Sequence, residues 1–310
     1  YTVAAAPMYE PVAQDPDAMA LLLVSGGSTG TPKLIPRSHN DYLCCVRLSS
    51  ERCAIRPFHR YLCLLPAGHN FALSSPGFLG FWHAGACVVF SQAQMPKEQL
   101  IQLQQHDISH SALVPAQLLR WLGTVVLEPA LAANTHALQL QIGGAPLDRF
   151  TALAVEDRLG AHLQQVFGMA EGLLHYTDSC DSLELRTSTQ GRPLCAADEI
   201  RLIGLDGQEV SNGEPGELCT QGPYTLRAYY PNPHNPSAQQ RAAASFTVTM
   251  QTTTAGTLVN SVTTRGNEVD PAPADNSDSA STSVSAAPIP LPDLAVVVSG
   301  APNPVNLGSN

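Results

Sequence analysis

An α/β fold with a mostly parallel sheet, followed by a β-rich tail, is what this 310-residue sequence predicts. Three observations carry the prediction. Short apolar runs alternate with helical stretches between residues 21 and 167, the signature of β–α–β units. From residue 198 the helical stretches stop and short strands separated by turn residues take over. Composition then breaks near 240–246: all eight Cys lie between Cys44 and Cys219, the last aromatic is Phe246, and residues 247–310 carry a single basic residue, Arg265.

The elements follow in order. Residues 21–24 (LLLV) form an apolar run ending in a Ser/Gly/Thr loop and predict a buried strand. Residues 39–50 predict a helix. Tyr61–Pro66 and Ala86–Phe90 predict strands, Glu98–His106 a helix, Ser111–Val114 a strand and Pro115–Leu122 a helix. Leu138–Ile142 predicts a strand running into Gly143-Gly144, Phe150–Leu159 a helix, and His162–Phe167 a strand. Beyond 198 the strands are Glu199–Leu205 and Gly216–Thr220, then Thr247–Thr254, Gly256–Thr264 and Ser279–Ser285. The division that results is an irregular lead-in over 1–20, an α/β unit over 21–197, a β-rich part over 198–240 and a separate tail over 241–310.

Charge and cysteine usage exclude several functions. Sixteen basic and 26 acidic residues give a net charge of −10, the wrong sign for nucleic acid or an anionic membrane. There is no run of 18 apolar residues to span a bilayer and no signal peptide at the start. The Cys residues show no CxxC spacing, which argues against zinc and for the free thiols of a cytoplasmic enzyme. The chain begins with Tyr, which suggests a fragment.

Two motifs carry chemistry. Ser25-Gly26-Gly27-Ser28-Thr29-Gly30-Thr31-Pro32-Lys33 follows a strand, so backbone N–H groups, hydroxyls and the Lys33 ammonium can converge on phosphate oxygens. It is not a Walker loop, since Pro32 precedes Lys33 and Leu34 follows it. Phe167-Gly168-Met169-Ala170-Glu171-Gly172 lies at the end of another strand, where open α/β sheets hold ligands. Phe167 can stack on a base, Glu171 can hold Mg²⁺, and Gly143-Gly144-Ala145 lets a purine lie against bare backbone.

Taken together these words resemble the aryl-acid–AMP ligases of siderophore biosynthesis, within the adenylate-forming superfamily. The resemblance covers about residues 21–240: SGGSTGTPKLIPRSHNDY at 25–42, PAGHNFALSSPG at 66–77, QIGGAPL at 141–147, LQQVFGMAEGLLHYT at 163–177, and TQGRPLCAADE and GPYTLRAYY further on. It implies activation of 2,3-dihydroxybenzoate or salicylate by ATP and Mg²⁺, then transfer of the aryl group to a phosphopantetheine thiol on a carrier protein. Carried over residue by residue, it assigns Ser25, Gly26, Gly27, Ser28, Thr29, Gly30 and Lys33 to the phosphates. Gly143, Gly144, Ala145, Val166, Phe167 and Gly168 surround adenine, and Glu171 binds the metal. Lys33, Glu171 and His69 form the catalytic set.

The resemblance places His69, Asn70, Phe71, Ser75, Met169 and Leu174 around the aryl acid. Asn70 is neutral where amino-acid-activating relatives carry an Asp for the substrate ammonium; an aryl acid has no ammonium, and an unpaired buried carboxylate would be costly. Ser75 can meet a second phenol and points to 2,3-dihydroxybenzoate, while the bulk of Leu174 points to salicylate. The hydroxyl is given more weight, because a missing hydrogen bond discriminates more than one methylene.

Several family parts are not seen: an earlier half of the large domain, the Tyr-x-Thr-Gly-Asp word that holds the ribose, and the mobile C-terminal domain with its Lys. Little or no turnover is therefore expected from these 310 residues. The tail, 245–284 and 292–310, resembles pieces of Ig-like repeats of bacterial surface proteins, which are exported modules. Its reading as a surface or adhesion repeat protein is the alternative, and an artificial junction near 240–246 would reconcile the two halves.

Overall fold

The computed structural model describes residues 15–24, 33–204, 206–211, 214 and 216–230, and beyond these the backbone of four further strands. It opens with an antiparallel pair, β1 (Met19–Val24) and β2 (Leu34–Ser38), with Val24 opposite Leu34. Ser38 then caps α1 (His39–Arg52): its hydroxyl accepts the Asp41 N–H while the Asp41 carboxylate accepts the Ser38 N–H, a reciprocal capping box.

The main sheet is assembled from β3 (Arg60–Cys63), β4 (Cys87–Phe90), β5 (His110–Leu113), β6 (Gln139–Gly143), β7 (His162–Met169), β8 (Leu173–Tyr176) and β9 (Arg192–Pro193). Its spatial order is β4-β3-β5-β6-β7-β8-β9. The pairs from β4 to β7 are parallel, and β8 and β9 add antiparallel strands at the far side. Between the strands run α2 (Asn70–Ser74), α3 (Gly77–His83), α4 (Pro96–Gln105), α5 (Pro115–Leu127), a 3-10 helix (Pro129–Thr135), α6 (Arg149–Leu159) and α7 (Leu183–Ser188). Pro96 and Pro115 stand in the first turns of α4 and α5, where a missing N–H costs nothing.

Both faces of the sheet are buried, which is why the strands read as apolar runs rather than alternations. On one face Leu62, Leu113, Leu140, Ile142 and Leu163 pack with Leu100, Leu103, Trp121, Leu122 and Val155 of α4, α5 and α6. On the other, Tyr61, Cys63, Ala112, Val166, Leu174 and Tyr176 pack with Cys45, Phe71, Phe78 and Phe81 of α1, α2 and α3. A polar ladder interrupts this second face: Gln141 Nε2 donates to Gln164 Oε1 at 2.9 Å, and Gln164 Nε2 donates to the Thr177 carbonyl at 2.9 Å. The amides are buried but paired, the condition under which burial is tolerated.

A second sheet starts with β10 (Glu199–Ile203) and β11 (Gly216–Gln221). Of the four further strands, β12 (Phe246–Met250) pairs with β11 and β15 (Val296–Val297) with β12, while β13 (Gly256–Thr263) pairs with β14 (Ser277–Val284). The expected strand over 199–205 ends at Ile203, and Leu205 lies outside the described residues. The sequence reading did not anticipate β2, α2, α3, β8 or α7. All five are short, of four to seven residues, so little local periodicity marks them. β7 also runs two residues past Phe167, because β8 folds back on it with Gly168 opposite Leu174 and Met169 opposite Leu173.

One buried charge joins the β1–β2 pair to the rest. Arg37 is 1% exposed. Its Nε pairs with Asp41 Oδ1 at 2.8 Å, one terminal nitrogen donates to the Ala170 carbonyl at 2.8 Å, and the other donates to the Tyr224 carbonyl at 2.9 Å. The R37A variant strands a largely buried carboxylate and two carbonyls, and is expected to lose about 3 kcal/mol of stability in urea unfolding, with R37K recovering part of it.

At the amino ends of the parallel strands, His110 is buried against the rings of His59 and Phe81, with centroids 4.4 and 5.2 Å away. Burial, with the nearby His59 as a smaller cause, lowers its pKa to about 3. The unfolded chain therefore takes up a proton near pH 6.5 that the folded chain refuses until about pH 3. Stability from this group is complete above 6.5 and falls as the pH drops through that window, by an amount of order 4 kcal/mol. Chemical denaturation at pH 7 and pH 4.5 should show a smaller acid loss for H110Q than for the wild type.

Candidate active site

The site is built where strand ends meet the buried arginine. Of the phosphate-loop residues assigned from sequence, Ser25, Gly26, Gly27, Ser28, Thr29 and Gly30 lie outside the described residues, and Lys33 is described. Lys33 enters β2, and its ammonium sits over the Tyr229 ring, 4.9 Å from the centroid. The Tyr229 hydroxyl in turn donates to Glu171 Oε1 at 3.1 Å. Lys33 and Glu171, 138 positions apart in the numbering, are thus linked through one aromatic side chain. Burial, with the Glu171 carboxylate as the next cause, holds the Tyr229 hydroxyl well above the usual phenol range, so it keeps its proton and donates.

Glu171 is held tightly. It is 5% exposed, in the turn between β7 and β8. Its carbonyl accepts the Leu226 N–H at 2.7 Å, and the preceding carbonyl is the one Arg37 binds. The next residue, Gly172, has φ +110°, and a Cβ there would lie 2.0 Å from the Tyr224 carbonyl oxygen. Only glycine admits both the backbone angle and the approach. The 222–226 segment that closes over this turn is fixed by Tyr224, whose hydroxyl donates to Asp198 Oδ2. Burial raises the Asp198 carboxyl above its ordinary value.

A second group of residues gathers at the carboxyl end of β6. A Cβ on Gly143 would meet the Val166 carbonyl at 2.5 Å and the Phe71 ring at 3.1 and 3.2 Å, so Phe71 lies directly on bare backbone. Gly144 and Ala145 follow, exposed. Gly168 takes the Leu174 side chain into the space its own would fill, at 2.4 Å from an added Cβ. Phe71, Val166 and Leu174 belong to one buried cluster. Ser75 is 1% exposed, beside the buried Tyr176, and its hydroxyl has no hydrogen bond within normal length among the described residues.

His69 and Asn70 open α2. His69 is its N-cap: Nδ1 accepts the Phe71 N–H at 3.2 Å, so in the neutral ring the proton sits on Nε2, and the side chain is exposed. Asn70 Oδ1 accepts from the Tyr42 hydroxyl at 2.9 Å.

Two assigned residues sit apart from this group. Phe167 and Met169 project to the opposite face from Val166 and Leu174, where they pack against Leu173 and Leu218. Phe167 also meets His175 edge-on, with centroids 5.4 Å apart. His175 is buried, which lowers its pKa to about 4. The structure thus brings His69, Asn70, Phe71, Gly143, Val166 and Leu174 together, ties Lys33 to Glu171, and places Met169 on the other side of the sheet. Arg37, Tyr42 and Tyr229 were missed as individual residues. All three lie inside quoted words, and a lone arginine facing inward on a strand was the available signal.

The donor set is suited to one kind of metal only. Among the described residues no group of three or more His, Cys, Asp or Glu converges, which is not the cage of a structural zinc or calcium. Mg²⁺ needs only one or two carboxylates, completed by water and phosphate oxygens. Glu171, a hard oxygen ligand with a single hydroxyl on Oε1, fits that requirement.

Comparison with known proteins places the chain in a family. The sequence model of the AMP-binding enzyme family matches residues 2–230. The vibriobactin-specific 2,3-dihydroxybenzoate-AMP ligase of Vibrio cholerae is 49% identical over 216 residues, which are 70% of this chain and 39% of that protein. The salicyl-AMP ligase / salicyl-S-ArCP synthetase of Mycobacterium tuberculosis is 45% identical over 216 residues, 70% of this chain and 38% of that protein. The apo structure of MbtA from Mycobacterium smegmatis superposes with a TM-score of 0.69 at 41% identity, over 81% of this chain and 46% of that one. The ATP-bound structure of MatB from Rhodopseudomonas palustris, at 18% identity and TM-score 0.67 over 78% of this chain and 48% of that one, shares the fold. This chain spans about two fifths of the length of the curated relatives it matches. The matches lend no support to an Ig-like surface-repeat tail. By family match, fold and site geometry, the chain belongs to the AMP-binding enzyme family.

Proposed function

We propose that this chain holds ATP and an aryl acid side by side as part of an aryl-acid–AMP ligase of siderophore biosynthesis, with 2,3-dihydroxybenzoate favoured over salicylate. The observation that carries the reading is the Phe71 ring lying on Gly143, with Asn70 beside it. A flat apolar wall ending in a neutral amide suits a phenolic ring, and it abuts the glycine strand end where a nucleotide would lie. No comparable observation favours a surface-repeat role.

In the first step an oxygen of the aryl carboxylate attacks the α-phosphorus of ATP. A P–O bond forms, the bond to the β-phosphate oxygen breaks, and pyrophosphate leaves with its electron pair, giving aryl-AMP. The charge to be offset is anionic throughout, so fixed cations and oriented N–H groups do the work. Lys33, with Ser25–Gly30 ahead of it, would bind the outer phosphates. His69 presents its Nε2–H at the mouth of the aryl subsite, where a carboxylate or phosphate oxygen can accept it. Gly144 and Ala145 offer exposed backbone to the purine, with Phe167 and Gly168 at its other side; Met169, turned to the face opposite Leu174, lies outside the aryl subsite. Glu171 would hold Mg²⁺. Bound there, Mg²⁺ neutralises charge on the phosphates. In the second step the thiol of a phosphopantetheine on an aryl carrier protein attacks the aryl carbonyl and AMP leaves. The domain division at 197–198 and 240–241 belongs to the same proposal.

The unpartnered Ser75 hydroxyl supports the choice of acid, since the 3-hydroxyl of 2,3-dihydroxybenzoate would satisfy it and salicylate would not. Titration calorimetry of the chain with each acid in the presence of Mg·ATP tests the reading. We expect 2,3-dihydroxybenzoate to bind about tenfold more tightly than salicylate, and S75A to erase that difference. A salicylate preference, or no binding of either, refutes the respective part. G143A sets its new methyl against the Val166 carbonyl oxygen at 2.5 Å and the Phe71 ring at 3.1 Å, and should weaken both the acids and Mg·ATP about tenfold or more. E171Q should bind ATP with little response to added Mg²⁺, measured by the same titration.

A further inference from the structure

The amide of Asn70 has its orientation set from behind. Oδ1 accepts two hydroxyls, from Tyr42 at 2.9 Å and from Ser74 at 3.3 Å. The single Ser74 proton also lies within reach of the Asn70 carbonyl at 3.4 Å, so the shorter Tyr42 bond is the one that fixes the amide. Nδ2 has no partner among the described residues. The reverse orientation would replace the acceptor that the hydroxyl of this 4% exposed tyrosine now has at 2.9 Å with an N–H donor. Burial raises the Tyr42 pKa to about 12, so the hydroxyl stays protonated and donates. Its ring is fixed in turn by the Arg37 guanidinium, 5.1 Å from the centroid.

We propose that Tyr42 is a specificity-setting residue: by holding Asn70 Oδ1 it presents Nδ2 to the aryl subsite, which then accepts ring acids whose ortho substituent is a hydrogen-bond acceptor and rejects those whose ortho substituent is a donor. This rests on the aryl-acid reading above. The chemistry of the ligand is matched to it. An ortho hydroxyl turns its single proton onto its own carboxylate, leaving only lone pairs facing outward. An ortho amino group also gives one proton to the carboxylate, but its second N–H points outward and meets Nδ2–H. The two acids are close in size, so the difference between them reports the direction of one hydrogen bond. Tyr42 touches neither ring nor nucleotide in this scheme; it acts through Asn70.

Titration calorimetry with salicylate, 2-aminobenzoate and benzoate, on the wild type and on Y42F, tests the proposal. The wild type should bind salicylate at least tenfold more tightly than 2-aminobenzoate. Y42F should bring the two within about threefold, because the amide is then free to turn, while the affinity for benzoate, which has no ortho group, changes little. A merely structural role would lower all three together and leave the ratio intact. Equal wild-type affinities for salicylate and 2-aminobenzoate, or an unchanged ratio in Y42F, overturn the proposal while leaving the aryl-acid reading standing. Failure of the wild type to bind any of the three overturns both. Should Y42F not melt cooperatively, N70D keeps an acceptor for the Tyr42 hydroxyl but offers the ring no N–H donor: it should lose the preference for salicylate over 2-aminobenzoate, and a wild-type ratio in N70D overturns the proposal.

Discussion

A guanidinium taken out of water needs hydrogen-bond partners, and each of the three nitrogens of Arg37 finds one, from three parts of the chain. Only one of them, Asp41, is charged. The remaining donors go to carbonyls of Ala170 and Tyr224, more than 130 residues away in sequence. Burying the charge is costly in itself, and the cost is met only when all three segments are in place at once. The β1–β2 pair, the turn that carries Glu171 and the 222–226 segment are therefore positioned as a unit. Asp41 serves twice, since the carboxylate that pairs with Arg37 also caps α1.

From that one charge two chains of contact run outward. One passes through Glu171 to Tyr229 and Lys33, groups suited to phosphate and metal. The other passes through the Tyr42 ring to Asn70, a group suited to a phenolic acid. Both groups of residues thus take their geometry from the same fixed point, and in the function proposed above they would form the phosphate and aryl-acid subsites. This is a physical reason for them to keep a constant separation, which an in-line attack on phosphorus requires.

The sheet supplies the rest. Parallel strands covered on both faces end together, and the residues just past β6 and β7 face the same region. Gly143 and Gly172 are then the positions at which side chains would obstruct it, by meeting Phe71 in one case and the Tyr224 backbone in the other. The second sheet contributes at a distance, since Asp198 holds Tyr224 and so the segment that covers the Glu171 turn.

The sequence by itself determined the alternation of strands and helices, because burial on both faces of a sheet writes itself as apolar runs; the phosphate-type and strand-end motifs gained meaning only together, since each short glycine motif alone also suits an ordinary turn. The family resemblance was legible for the same reason, and the AMP-binding match over residues 2–230 agrees with it. The tertiary structure alone decided which residues meet. Short elements such as α2 and β8 have too little local signal to be read, and exist because α2 packs under β6 and β8 pairs with β7. The roles of Arg37, Tyr42 and Tyr229 depend on partners 28 to 187 positions away. Met169 adjoins Glu171 in the motif, yet strand alternation turns it to the face opposite Leu174. Pleating and long-range hydrogen bonds are properties of the folded chain, and no local pattern of residues encodes them.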